Sequence, residues 1–166
     1  MSKSLNSNHH DTAVSGVTTL SLDRAILNFG ADFRVKSQDP AQAVIVNMTS
    51  PVDCPETFKF AVSPVKDIYK GSSVDPSLFD ASRRGVSILC ALNDVVTITD
   101  SSDATYRVDK PLSAHIVIKV PYDTQITGGM IESLVGRLVS GLYETGDDGI
   151  TRIAALMRGS LLPVDL

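Results

Sequence analysis

The sequence has few of the residues on which metal sites, disulfide frameworks and catalytic centres depend. Its 166 residues include no tryptophan, two cysteines and three histidines. Two cysteines at unrelated positions supply neither a zinc-binding spacing nor a disulfide framework. Nucleophile-elbow, phosphate-loop and His-Glu-x-x-His motifs are also absent from the sequence. We therefore predict a protein that is not an enzyme and that binds no metal or cofactor.

Long apolar runs are absent as well. No stretch approaches the ~18 apolar residues that a membrane-spanning helix requires. Residues 1–11 are polar and lack the apolar centre of a signal peptide, and we expect residues 1–16 to form a flexible tail. These features predict an intracellular protein with no membrane partner, in which residues 17–166 form a single domain.

Positive charge is scarce. The formal net charge is −4, and residues 122–166 carry six acidic and three basic side chains. Residues 1–121 carry thirteen acidic and twelve basic side chains and are nearly neutral. Nucleic-acid binding through bulk positive charge is therefore disfavoured, and a polyanion would have to bind at a local cluster of cations.

What the sequence does contain is a series of strand patterns followed by helix patterns. Short apolar or alternating segments predict strands, and they lie at residues 17–22, 25–29, 32–37, 43–49, 56–63, 85–99 and 113–121. The polar stretch 66–84 predicts an exposed excursion, and residues 101–110 predict a loop. Because no helical crossover separates the strands, the pattern predicts an α+β fold with an antiparallel meander of about six strands.

Two C-terminal helices are predicted, at residues 127–144 and 149–158. In the first helix, an apolar residue recurs every fourth position at Met130, Leu134, Leu138 and Leu142. Four glycines lie within or beside this helix, and each weakens a helix interior by up to ~1 kcal/mol relative to alanine. The helix must therefore be held by packing of its apolar stripe against a sheet, from this chain or from a partner.

The strand alternation gives the predicted sheet two different faces. In the last strand, Ile116, Ile118 and Val120 share one face, and Ser113, His115 and Lys119 share the other. Polar side chains of the other strands are assigned to this second face by the same period; they are Asn47, Thr57, Lys59, Ser87 and Asn93. The pattern fits either an ordinary solvated face or a platform on which lysines meet phosphates and small side chains admit bases.

Three segments resemble the coat proteins of the single-stranded RNA bacteriophages. They are Leu112-Ser-Ala-His-Ile-Val-Ile-Lys-Val-Pro121, Ile131-Glu-Ser-Leu-Val-Gly-Arg-Leu-Val-Ser-Gly-Leu142 and Ile150-Thr-Arg-Ile-Ala-Ala-Leu-Met-Arg-Gly-Ser160. Residues 84–89 and 95–100 also look like the penultimate long strand of that family. The likeness covers the last half of the chain well and the first half in general plan.

The resemblance implies an interlocked homodimer, in which two sheets join edge to edge and the helices of each subunit cover the partner's sheet. Dimer packing would then fall to Leu134, Leu138, Leu142, Ile116 and Ile118. Dimers would close an icosahedral shell around viral single-stranded RNA, with residues 101–110 around the symmetry axes. The protein would belong to the virion and would be assembled in the cytoplasm of the bacterial host.

The resemblance also implies that RNA meets the polar sheet face. The candidate RNA-binding residues are Lys119, Lys59, His115, Asn47, Thr57, Ser87 and Asn93. Ser113 stands where the best-known family members carry an aromatic residue that stacks on an RNA base, so we expect packaging rather than hairpin-specific repression. The alternative hypothesis is a small non-viral dimeric binding module with a solvated polar face.

Overall fold

The structure is a computed structural model that describes residues 27–103, 105–143 and 152–160. Its elements are β1 (Phe33–Asp39), β2 (Gln42–Asn47), β3 (Thr57–Val65), a 3₁₀ turn (Pro76–Leu78), β4 (Gly85–Thr99), β5 (Arg107–Pro121), α1 (Gly128–Ser140) and α2 (Ile153–Leu156). The chain divides into two compact units, residues 26–122 and residues 1–25 with 123–166. The first unit holds the sheet, and the second holds both helices. A single domain over residues 17–166 stays a prediction.

The sheet is an antiparallel meander in which every strand pairs with the next one along the chain, in the order β1-β2-β3-β4-β5. Such neighbour-to-neighbour pairing follows from connections that contain no crossover helix. Together with the helices that follow it, the sheet confirms the predicted α+β class. Two of the predicted strands precede β1, at residues 17–22 and 25–29. The first lies outside the described residues, and Phe29 at the end of the second stands in a turn and extends no strand.

β5 is longer than predicted. The sequence suggests a loop over residues 101–110 and a strand from Ser113, but β5 begins at Arg107 and pairs with β4 along its whole length. Residues 107–112 are rich in charged side chains and lack the apolar alternation that predicts a strand. Cross-strand pairs such as Thr97 and Asp109, whose hydroxyl and carboxylate oxygens lie 2.7 Å apart, stabilise it nevertheless. The connecting loop is correspondingly shorter.

Both helices are shorter than predicted. α1 ends at Ser140, whereas the predicted range ran to residue 144, and its N-cap Thr127 makes no side-chain capping hydrogen bond. Without that bond, and with glycines in its sequence, the helix has little intrinsic tendency to extend. α2 comprises only four residues within the predicted range 149–158, of which residues 149–151 lie outside the described part of the chain.

Residues 66–84 form the predicted excursion between β3 and β4, and this excursion packs on itself. The rings of Tyr69 and Phe79 stack with their centroids 4.2 Å apart. The guanidinium carbon of Arg83 lies 5.3 Å from the ring centroid of Phe79, and its Nη1 atom is 3.7 Å from a carboxylate oxygen of Asp67. The excursion is therefore a small folded element rather than an open loop.

Four phenylalanine side chains cluster at the β1–β3 side of the sheet. The ring centroid of Phe29 lies 5.1, 5.5 and 6.2 Å from those of Phe33, Phe58 and Phe60, respectively. Among the described residues, Phe33 is the one buried large apolar side chain, at 5% exposure. The described chain thus leaves much of its apolar surface uncovered.

Candidate functional site

Strand register brings six of the seven candidate RNA-binding residues onto one face of the sheet, which we call the polar face. Directly opposed residues of antiparallel strands point to the same side. Three rows across β3, β4 and β5 result, and they are Thr57–Asn93–Ser113, Lys59–Ala91–His115 and Ser63–Ser87–Lys119. The predicted grouping of Thr57, Lys59, Ser87, Asn93, His115 and Lys119 is therefore present in the structure.

Asn47 lies on the opposite face, so its predicted placement was wrong. It pairs with the buried Phe33 in the β1–β2 register. Its side-chain Nδ2 atom donates to Glu56 Oε2 at 2.6 Å. Its side-chain Oδ1 atom accepts from the backbone N–H and the hydroxyl of Thr49 at 2.9 and 2.8 Å. The period of one strand separates its own two faces, but only the register relates them to the faces of its neighbour. Asn47 instead organises the β2–β3 turn.

The cations of the polar face differ in availability. Lys59 and Lys119 form no ion pair with any carboxylate of the described residues. Their row neighbours Ala91 and Ser87 are small, which leaves space above the sheet. Such a surface can place lysines against phosphates while flanking bases approach the backbone.

Arg107 also lies on this face but is already occupied. Its Nη2 atom is 2.7 Å from Asp53 Oδ2, its Nε atom is 3.0 Å from Asp109 Oδ1, and Nη2 donates to the sulfur of Cys54 at 3.6 Å. Hydrogen bonding from Arg107 lowers the pKa of Asp53, and hydrogen bonds from Thr97 and then Arg107 lower the pKa of Asp109. Sequence reasoning missed this cluster because its members lie far apart in the chain.

The donor atoms of Asp53, Cys54 and Asp109 lie within 4.8 Å of one another. Partial desolvation and then the neighbouring Asp53 carboxylate raise the pKa of the Cys54 thiol, which disfavours the thiolate that a metal would bind. The Arg107 guanidinium already forms ion pairs with both carboxylates. The arrangement therefore fits an ion-pair network better than a metal centre.

The opposite face, which we call the apolar face, carries two of the predicted dimer-packing residues. Ile116 and Ile118 stand opposite Cys90 and Ile88 in β4, and β3 extends these rows with Phe60 and Val62. Phe60 and Val62 remain 39% and 49% exposed. Apolar side chains at this exposure leave an uncovered surface, which in soluble proteins marks a contact site.

The apolar stripe of α1 is exposed as well. Leu134, Leu138 and Leu142 retain 55%, 62% and 38% of their accessible surface, whereas Val135 and Val139 are partly buried. A helix with weak intrinsic propensity and an exposed leucine stripe requires a packing partner to be stable.

The outer edge of β5 is the third uncovered feature. In the described residues, β5 is the last strand of the sheet, and it pairs along fifteen residues with β4 on one side only. A long strand edge exposes unpaired backbone donors and acceptors and is a template for pairing with another chain. Among the described residues, no helix is long and apolar enough to cross a membrane.

The structure is thus an antiparallel five-stranded meander followed by helices, and its described residues leave apolar surfaces uncovered. The chain is similar to the "Virus-like particle of bacteriophage AVE015", with a TM-score of 0.85 and 26% identity over 99% of this chain and 100% of that chain. The particle of bacteriophage GQ-112 gives a TM-score of 0.68 at 16% identity, covering 96% of each chain. That of bacteriophage PQ-465 gives 0.51 at 12% identity, covering 81% of this chain and 95% of that chain. No family model and no curated protein matches the sequence.

These structural matches confirm the resemblance inferred from the sequence. The chain has the fold of bacteriophage virus-like particles and fits a phage coat protein. The match at 26% identity supports a structural role in a capsid, self-assembly into a shell and a place in the virion.

Proposed function

We propose that this protein is a bacteriophage coat protein that dimerises, assembles into an icosahedral shell and packages single-stranded RNA against its polar face. The observation that carries the proposal is the match to one phage particle over 99% of this chain at a TM-score of 0.85. The role is structural rather than catalytic. Assembly takes place in the cytoplasm of the bacterial host.

Three uncovered surfaces support dimerisation. They are the apolar face, the leucine stripe of α1 and the β5 edge. Each exposes apolar side chains or unpaired backbone groups that a partner would cover. In the proposed dimer, two β5 edges join the sheets, and the stripe of one subunit covers the apolar face of the other. Ile116 and Ile118 then pack against Leu134, Leu138 and Leu142 of the second copy. One arrangement thus satisfies all three surfaces.

The substitution Leu138→Asp tests the dimer. Leu138 is 62% exposed in the single chain, where a surface substitution costs within about 0.5 kcal/mol. In the dimer, the same aspartate is buried without a partner, and its cost approaches the stability of a marginal domain. We therefore expect insoluble protein rather than a folded monomer.

Ser133→Asp is the matched control, because it adds the same charge to an exposed position of the same helix outside the stripe. It should remain soluble and assemble. A Leu138→Asp variant that is folded by circular dichroism and monomeric by light scattering would contradict the interlocked dimer.

Lys59 and Lys119 support RNA binding, since they are basic side chains of the polar face without an ion-pair partner among the described residues. Replacing both with alanine should lower the RNA content of purified particles. The slope of log affinity for RNA against log salt concentration should also become shallower by about 0.7 per lost phosphate contact. Lys66→Ala with Lys70→Ala removes the same charge from the excursion and is the control. Equal RNA content in the two double variants would contradict the assignment of the polar face to RNA.

Electron microscopy of the purified protein separates this proposal from the alternative of a small dimeric binding module with a solvated polar face. A coat protein yields uniform closed shells. Soluble dimers under all assembly conditions would favour the binding module.

A further inference from the structure

The distal part of the β4–β5 hairpin extends beyond the rest of the sheet. Pairing of β3 with β4 ends at Thr57 opposite Asn93, whereas pairing of β4 with β5 continues to Thr99 opposite Arg107. Within the described part of the chain, residues 94–99 and 107–112, which we call the arm, therefore pair with no strand other than each other. A two-stranded ribbon is marginally stable by itself, and its orientation is easily changed.

The Arg107 network lies at the base of the loop that the arm presents. Its guanidinium contacts Asp53 in the β2–β3 loop at 2.7 Å and Asp109 of the arm at 3.0 Å. Asp109 also accepts a hydrogen bond from Thr97 of the neighbouring strand at 2.7 Å. One planar side chain thus joins both strands of the arm to a loop more than fifty residues earlier in the chain.

A guanidinium in this setting is suited to fixing geometry. Arginine presents its donors in a rigid fork, and carboxylates bind it with defined direction. Its two carboxylate partners neutralise Arg107, which makes it a poor ligand for a phosphate, although it lies on the same face as Lys119. Its role therefore differs from that proposed for the free lysines.

We propose that Arg107 is a positioning residue that fastens the arm to the β2–β3 loop and so sets the orientation of the arm and of the loop at its end. This inference rests on the proposed function and deepens it, because an arm that extends beyond the rest of the sheet would be available to contact neighbouring dimers in a shell. The fastening itself is a property of the folded chain and can be tested without any shell.

Hydrogen exchange of the purified protein provides the test, with Arg107→Gln as the variant. Peptides covering residues 94–99, 107–112 and 50–56 should exchange at least about threefold faster than in the parent, while β3 should be unchanged. Asp53→Asn, an exposed loop substitution that leaves the strand sequence intact, should produce the same increase in the arm. Because both variants break the contact between Arg107 and Asp53, the double variant should exchange no faster than Arg107→Gln alone.

Lys119→Gln is the control for a role in RNA binding. It should reduce the salt dependence of RNA binding and leave exchange in the arm unchanged. Arg107→Gln should instead leave the salt dependence unchanged and accelerate exchange in the arm. Parent-like exchange in both Arg107→Gln and Asp53→Asn would overturn the proposal. So would a loss of salt dependence in Arg107→Gln equal to that of Lys119→Gln, because Arg107 would then be a phosphate ligand. Absence of shells from the parent protein would contradict the coat-protein function and leave the exchange result as the test of the fastening.

Discussion

Gly85, the first residue of β4, provides a test of the close packing between β4 and β5. Gly85 is buried, and a methyl group at its Cα would lie 2.5 Å from the carbonyl oxygen of Val120 and 3.0 Å from Cδ1 of Ile68. The first of these contacts is to the backbone of β5 and cannot be relieved by rotating a side chain. Gly85→Ala therefore requires β4 and β5 to separate or the excursion to shift.

Overpacking of this kind costs about 1–3 kcal/mol. For a chain of this length, each kcal/mol lowers the melting temperature by roughly 2–4 °C, so Gly85→Ala should melt about 2–12 °C below the parent. Circular dichroism or scanning calorimetry at matched protein concentration measures the difference, since assembly makes melting depend on concentration.

Gly136→Ala is the matched control with the opposite expected sign. Gly136 lies within α1, and an added methyl group meets no atom within 4 Å. Replacing a glycine in a helix interior with alanine stabilises it by about 0.5–1 kcal/mol. A Gly85→Ala variant that melts at or above the parent temperature, with a stabilised Gly136→Ala, would refute the close strand approach at Gly85.

Two further predictions concern the excursion and the Arg107 network. Phe79→Ala removes the stack on Tyr69, which is worth about 0.5–1.5 kcal/mol beyond the buried area. Hydrogen exchange should become faster within the excursion and stay unchanged in β3. Faster exchange throughout the sheet would contradict the description of the excursion as a small folded element. The pKa values of Asp53 and Asp109 lie below their ordinary value of 3.8 in the folded protein, so their contribution is complete above that pH and is lost as the pH falls through the lowered values. The protection of the arm against exchange, corrected for the intrinsic exchange rate at each pH, should therefore decrease below pH 3.8 in the parent and change less in Arg107→Gln. An equal decrease in both proteins would argue against the network.

Local patterning was enough to predict most of the sheet. Alternation over residues 56–63 and 85–99 predicted β3 and β4, because the side-chain period of two is a property of the strand itself. The same period separated Ile116 and Ile118 from His115 and Lys119 within β5. The resemblance of the last half of the chain to phage coat proteins was visible at the same level and agrees with the structural matches.

The tertiary structure decided what depends on pairing between distant segments. Register placed Asn47 on the face opposite Lys59, and pairing with β4 made residues 107–112 a strand although their sequence is polar. The network of Arg107 with Asp53 also exists only because the first residue of β5 meets the β2–β3 loop.

The sequence by itself therefore determined most of the segments that form strands and which side chains alternate along each one. The tertiary structure decided how those alternations align, which arginine is neutralised and which apolar surfaces remain uncovered. The physical reason is that periodicity is encoded within a few consecutive residues. Register and ion pairing arise only when segments far apart in the chain are brought into contact.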